Sequence, residues 1–166
     1  MVRLVASSRR SIRQPLDLSL GRFPLVVTKV DFPSRVTVST GMFAVTDRGL
    51  NEERKTVSPK PGYRLLRVLF ELDVEKRTPP LTLSRRQLEL RTSDGKAVIP
   101  LDFYTPLPED LTIPIHGELL LGGKGVFGAT FIVPADDERA EFYVANRRVG
   151  SIKEIMLSAT KENTAR

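Results

Sequence analysis

The stretch GGKGVFGATFIVP contains the spacing G-x-G-x-x-G at Gly123, Gly125 and Gly128. Glycines at this spacing bind phosphate when they follow a strand and lead into the N-terminus of a helix. Here Gly128 is followed by ATFIVP, the pattern of a strand that ends at proline, and Lys124 is followed by glycine rather than serine or threonine. We therefore predict no nucleotide or other cofactor. We expect the first glycines to turn the chain at positive φ and Gly128 to permit close packing.

Catalytic and metal-binding chemistry has few candidate residues. A serine–histidine–acid relay would need His116, the single histidine, which lies among apolar residues with no nucleophile elbow nearby. The absence of cysteine excludes disulfides, thiolate zinc sites and cysteine nucleophiles. The carboxylates of Asp136, Asp137 and Glu138 fall in a turn and resemble solvated charge more than a calcium cage. We predict a protein that is not an enzyme and that holds no metal.

The elements that would position such residues are strands. Apolar and polar residues alternate with period two in GYRLLRVLFELDVEK, and also in LVVTKVDF, RVTVST and LSRRQLELRTSDGKAVIPL. In LVVTKVDF the alternation predicts that Val26, Thr28, Val30 and Phe32 share one face. Ser93-Asp94-Gly95 is typical of a hairpin turn. The predicted core comprises Leu66, Val68, Phe70, Leu72, Leu88, Leu90, Phe131 and Val133.

Short strands separated by proline and glycine predict an all-β fold, a two-layer antiparallel immunoglobulin-like β-sandwich. We place this domain at residues 22–166, behind a basic N-terminal arm at residues 1–21. Residues 46–62 are expected to form a long loop suited to binding. The end of the chain, residues 151–162, fits two structures. Ser151 and Glu154 could cap a helix, and the same residues could form a last strand, which a sandwich favours.

Three stretches carry a resemblance to a known family: GYRLLRVLFELDVEK, LSRRQLELRTSDGKAV and LLLGGKGVFGATFIVPADDERAEFYV. Their order across residues 60–145 resembles a family of bacterial immunoglobulin-like domains of unknown function, found on secreted proteins and lipoproteins. The resemblance implies a sandwich fold and an extracytoplasmic location at the cell envelope. If Met1 is the native start, the absence of an export signal implies the cytoplasm instead.

The charge pattern indicates where a partner would bind. The net charge is +6, and residues 1–62 carry all of this excess, with 11 basic and 5 acidic residues. A basic arm is typical of contact with an anionic partner. We predict a binding or structural module that docks on a partner protein or larger assembly. The candidate contact residues are Arg9, Arg10, Arg13, Arg48, Arg54 and Lys55.

The alternative is an accessory protein that binds nucleic acid or another anion through its arm. The sequence has no tryptophan and 3 tyrosines, and it shows no known nucleic-acid-binding pattern. No apolar run approaches the length of a membrane span. Protein is therefore the favoured partner, and nucleic acid is the second candidate.

Overall fold

The computed structural model describes residues 25–74 and 80–157, so the predicted arm at residues 1–21 lies outside the described residues. Two 3₁₀ turns, Arg85–Gln87 and Pro108–Asp110, and a helical segment at residues 152–157 accompany the strands. The strands are β1 (Leu25–Asp31), β2 (Val36–Thr46), β3 (Gly49–Val57), β4 (Tyr63–Asp73), β5 (Leu81–Ser84), β6 (Leu88–Arg91), β7 (Ala97–Val98), β8 (Asp102–Pro106), β9 (Thr112–Pro114), β10 (Glu118–Leu121), β11 (Lys124–Pro134), β12 (Glu141–Val144) and β13 (Arg147–Ser151).

The strands form an antiparallel β-sandwich, which confirms the predicted fold class. One sheet has the order β1-β4-β11-β8-β9, and the other has the order β13-β12-β6-β7. Read along the chain, β1, β4, β11 and β8 take the places of strands A, B, E and D of an immunoglobulin domain. Strands β6, β12 and β13 take the places of C, F and G. Two further ribbons, β2–β3 and β5–β10, are additions to this order.

Aromatic side chains join the two sheets. The ring of Phe70 on β4 stacks on Phe142 of β12 with centroids 4.6 Å apart, and Phe131 on β11 meets Phe142 edge-on at 5.7 Å. Such ring pairs stabilise the fold beyond what the burial of their apolar area contributes. All eight residues of the predicted core are buried in this one cluster, which confirms that prediction.

The first strand departs from simple alternation. The pattern predicted Val26 on the same face as Val30, but Val26 is exposed while Val27 is buried. The register explains the difference: Val27 lies opposite Phe70 and Val30 lies opposite Val68, with an irregularity between Val27 and Lys29. A bulge adds one residue and moves the following side chains to the other face. The predicted face was therefore wrong for the first half of β1.

The glycine-rich stretch links two sheets. Strand β10 pairs with β5, whereas β11 pairs with β4 and β8, so the glycines between them do not close a hairpin. The expectation of positive φ was wrong for Gly123 and Gly125. Close packing explains Gly128 instead, as predicted, because a Cβ there would lie 2.6 Å from Cε2 of Tyr104.

Residues 46–62 form mainly a strand, not the predicted loop. Residues 49–57 are strand β3, which pairs with β2 across a tight turn at Thr46–Gly49. The Thr46 hydroxyl closes this turn by donating to the Gly49 carbonyl at 3.1 Å, and Gly49 adopts a φ of 108°. The residues of this range outside the strands are the turn residues 47–48 and residues 58–62. The β-branched and polar residues from which a loop was predicted are also compatible with a ribbon that is exposed on both faces.

The end of the described chain is helical. Residues 152–157 form a short helix, so the preference for a last strand was wrong for these residues, while residues 158–162 lie outside the described part of the chain. The alternative capping box is present, because the Glu154 amide donates to the Ser151 hydroxyl at 3.2 Å and the Ser151 amide donates to the Glu154 carboxylate at 2.5 Å. Local capping decides the conformation here. Ile152 and Ile155 then join the core.

We expect Phe70→Ala and Phe131→Ala each to lower the free energy of unfolding by about 3–5 kcal/mol, because each removes a ring from the contact between the sheets. Chemical denaturation monitored by circular dichroism measures the change. Phe43→Ala is the control, since Phe43 is 53% exposed and should change stability little. Equal stability of the Phe70 and Phe43 variants would contradict the assignment of this core.

Candidate docking surface

The base of the β2–β3 hairpin covers part of the outer face of the five-stranded sheet. There the strand register places Arg67, Thr130 and Asp102 side by side across β4, β11 and β8. Arg67 also forms a two-point ion pair with Asp31, at 2.8 and 2.5 Å. Between hairpin and sheet lies a cleft of about 260 Å³. Its lining residues are Arg35, Val36, Thr37, Arg54, Arg67, Asp102, Tyr104, Leu111, Thr112 and Thr130.

Three polar side chains join the hairpin to the loop after β9. Nε2 of His116 lies 2.5 Å from Oε1 of Glu52 on β3, and the hydroxyl of Ser39 on β2 donates to the same oxygen. Ser39 Oγ lies 3.5 Å from the same Nε2. In a catalytic relay the acid binds one ring nitrogen and the serine the other. Here both groups meet one nitrogen, so the trio has the geometry of a structural link.

The hydrogen bond from Ser39 is the largest cause of the lowered pKa of Glu52; His116 and Arg54 also lower it, and desolvation opposes them. A lowered pKa keeps Glu52 ionised and able to accept these bonds. In the neighbouring cleft, burial raises the pKa of Asp102, and the charges of Arg85 and Arg54 oppose that rise. An ionised carboxylate on the hairpin, Glu52, thus lies near a partly desolvated one on β8, Asp102.

The far part of the hairpin exposes apolar side chains. Val45 and Leu50 are cross-strand partners, and 86% and 67% of their surfaces are exposed. Phe43 lies two residues before Val45, on the same face of the ribbon, and Met42 precedes it at a break in the pairing. We call Met42, Phe43, Val45 and Leu50 the hairpin patch. Contiguous exposed apolar groups of this kind mark interaction sites.

The predicted contact residues that the structure describes do not form one cluster. Arg54 lies opposite Ser39 on the face that meets His116, and it approaches Glu52 at 3.6 Å. Lys55 lies opposite Val38, so it projects from the other face of the ribbon. Arg48 is exposed in the turn. The remaining candidates, Arg9, Arg10 and Arg13, lie outside the described residues.

Sequence reasoning missed the hairpin patch and the link through His116. The signal for the patch was present: Phe43, Val45 and Leu50 flank the turn residues Asp47, Arg48 and Gly49, as in a hairpin. No spacing rule indicates the link, because Glu52 and His116 are 64 residues apart.

The acidic turn at residues 136–138 is structural in part. Asp137 is buried, and its carboxylate accepts the amide of Ser93 at 2.9 Å, which holds the β6–β7 turn. The interpretation of Asp137 as solvated charge was therefore wrong. Within residues 25–74 and 80–157, no group of three or more His, Cys, Asp or Glu side chains is placed to hold a metal ion.

No protein-family model matches this chain. No curated protein matches it. Its structure is similar to the crystal structure of an uncharacterized β-sandwich protein from Clostridium difficile 630, with a TM-score of 0.42 and 9% identity, over 76% of this chain and 82% of that chain. Both proteins are β-sandwiches, and the resemblance to a bacterial immunoglobulin-like family stays a prediction.

In the described part of the chain, no helix combines the length and the apolar character that a membrane crossing requires.

We expect Ser39→Ala to raise the pKa of Glu52 toward its ordinary value of 4.5, because the largest lowering contact is lost. A lowered pKa in the folded state stabilises the fold above the unfolded-state pKa, and this contribution disappears as pH falls through the folded-state pKa. The variant should therefore lose part of the pH dependence of stability at acidic pH. Carboxyl-carbon NMR titration of Glu52 measures the shift. Ser34→Ala, in an exposed bend, is the control. An unchanged pKa would contradict the contact.

Proposed function

We propose that this chain is a non-catalytic binding or structural module that docks on a partner protein, or a larger assembly, through the hairpin patch. One observation carries the proposal: the β2–β3 ribbon leaves Val45 and Leu50 largely exposed although the sandwich core is complete without them. Exposure of apolar side chains to water is unfavourable, and burial of this cross-strand pair against a partner would stabilise it.

The rest of the hairpin supports this function. The contacts among Ser39, Glu52 and His116 anchor the middle of the ribbon, where Glu52 is the cross-strand partner of Phe43, so the patch is presented on a held ribbon. A preorganised surface loses less conformational entropy on binding. The geometry of His116 also supports a non-catalytic role, since Ser39 and Glu52 meet the same ring nitrogen. The location at the cell envelope belongs to the proposal too, and it rests on the resemblance to domains of secreted proteins and lipoproteins.

Photocrosslinking in the source cell tests the docking surface. A benzophenone amino acid in place of Phe43 should form one defined adduct with a partner protein, identified by mass spectrometry. Tyr63 is the matched control position, because it is aromatic and 49% exposed but lies outside the hairpin. Adding Val45→Thr and Leu50→Thr should reduce the Phe43 adduct at least about tenfold, since truncated anchors cost about 2 kcal/mol or more. The same adducts from both positions, or none from Phe43, would contradict the proposal.

Deletion of residues 1–21 tests the arm separately. We expect the truncated chain to keep its thermal unfolding transition, since the described strands begin at Leu25. We expect it to bind its partner more weakly than the full chain, with the larger difference at low salt, where charge attraction is least screened. Calorimetry and binding measured at two salt concentrations check both points. Failure of the truncated chain to fold would show that the arm belongs to the core.

A further inference from the structure

A second concave surface lies beside the base of the hairpin. In the β5–β10 ribbon Glu118 pairs with Ser84, and this register brings the loop at residues 115–117 next to the 3₁₀ turn that follows β5. Together they enclose a concavity of about 480 Å³. It is lined by Ser84, Arg85, Arg86, Ile99, His116 and Gly117.

The walls of this concavity are fixed by hydrogen bonds. The Ser84 amide donates to Oε1 of Gln87 at 2.8 Å, and the Gln87 carbonyl accepts the Ala145 amide at 2.7 Å. These bonds hold both ends of the turn that carries Arg85 and Arg86. On the opposite wall, Glu52 binds His116, and the Ile115 amide donates to the Phe103 carbonyl at 2.8 Å. The surface is therefore preorganised for a ligand.

The concavity carries two arginines that form no close ion pair among the described residues, although Asp102 feels the charge of Arg85. None of the ion pairs within residues 25–74 and 80–157 involves Arg85 or Arg86, and both side chains are exposed. The carboxylate of Glu52 is engaged by Ser39, His116 and Arg54. Two adjacent guanidinium groups offer the planar donors that bind carboxylates in a two-point geometry.

Apolar groups border the same charges. Ile99 lines the concavity and is 53% exposed. On the hairpin side, the Phe43 ring meets the His116 ring edge-on with centroids 6.0 Å apart. The basic concavity therefore borders the hairpin patch through His116. A ligand that crosses from one to the other would meet guanidinium groups first and apolar side chains next.

We propose that this concavity receives an acidic segment of the partner protein whose carboxylates contact Arg85 and Arg86 and whose apolar side chains contact Ile99 and the hairpin patch. The inference rests on the proposed function and names the chemistry of the partner. Charge complementarity selects an acidic ligand. A peptide fits better than single-stranded nucleic acid, because most of the apolar groups that border the charges, namely Ile99, Met42, Val45 and Leu50, are aliphatic and offer bases no stacking surface.

Selection from a phage-displayed random dodecapeptide library against the full chain tests this proposal. Enriched peptides should carry aspartate or glutamate next to an apolar residue. A fluorescein-labelled copy of the most enriched peptide should bind with an affinity that falls at least about tenfold in the double variant Arg85→Glu with Arg86→Glu, because both charge pairs become repulsive. Ile99→Ser should weaken binding with no change in its salt dependence. Arg139→Glu is the matched control, because Arg139 is exposed and lies by a different, acid-lined groove.

Several results would overturn the acidic segment. They are the absence of enriched peptides, enrichment of peptides without acidic residues, and equal binding to the double variant. Tighter binding of a labelled 20-residue oligothymidine through Arg85 and Arg86 would assign the surface to nucleic acid instead. The photocrosslink at Phe43 separates the two proposals. If that adduct forms while the selection fails, the hairpin still docks a partner and only the acidic segment is wrong.

Discussion

The stacking contact between Phe70 and Phe142 sets how the two sheets pack on each other. It joins β4, in the middle of one sheet, to β12 of the other. Strand β11 pairs with β4 over eleven residues, and its Phe131 packs edge-on against the Phe142 ring. Because both sheets pack against these rings, the distance between the two sheets cannot change much without loss of the ring contacts. Gly128 shows the same tightness on the outer face, where the Tyr104 ring occupies the space of a side chain.

The predictable parts of the fold are those that the core dictates. Alternation located β4, β6 and β11 because each has one face in the core and the other facing outward. It failed in β1, where a bulge exchanged the faces, and in residues 46–62, where an exposed ribbon has no buried face to create a pattern. In the β12–β13 turn, Asn146 adopts a φ of 65°, which asparagine favours, whereas Ala145 adopts a φ of 47° that its residue type does not predict. The Ala145 amide is held there by a hydrogen bond to the Gln87 carbonyl.

The candidate site was harder to predict from the sequence than the core. Its residues come from β2, β3, the loop after β9 and the turn after β5, and only pairing between distant strands brings them together. The basic residues chosen from the sequence were selected by charge density, which does not distinguish the faces of a strand. Arg54 and Lys55 are neighbours in sequence and project from opposite faces of β3.

The two candidate binding surfaces also share an architectural origin. The hairpin patch lies on β2–β3, inserted between the first two strands of the immunoglobulin order, and the basic concavity lies where the β5–β10 ribbon meets its flanking turns. Neither ribbon supplies the aromatic contact between the sheets. Substitutions at Val45, Leu50, Arg85 or Arg86 therefore act on exposed groups, whereas changes at Phe70 act on the fold. Under the proposed function, this separation would let binding specificity vary while the sandwich is preserved, and loss of binding without loss of stability becomes an informative result.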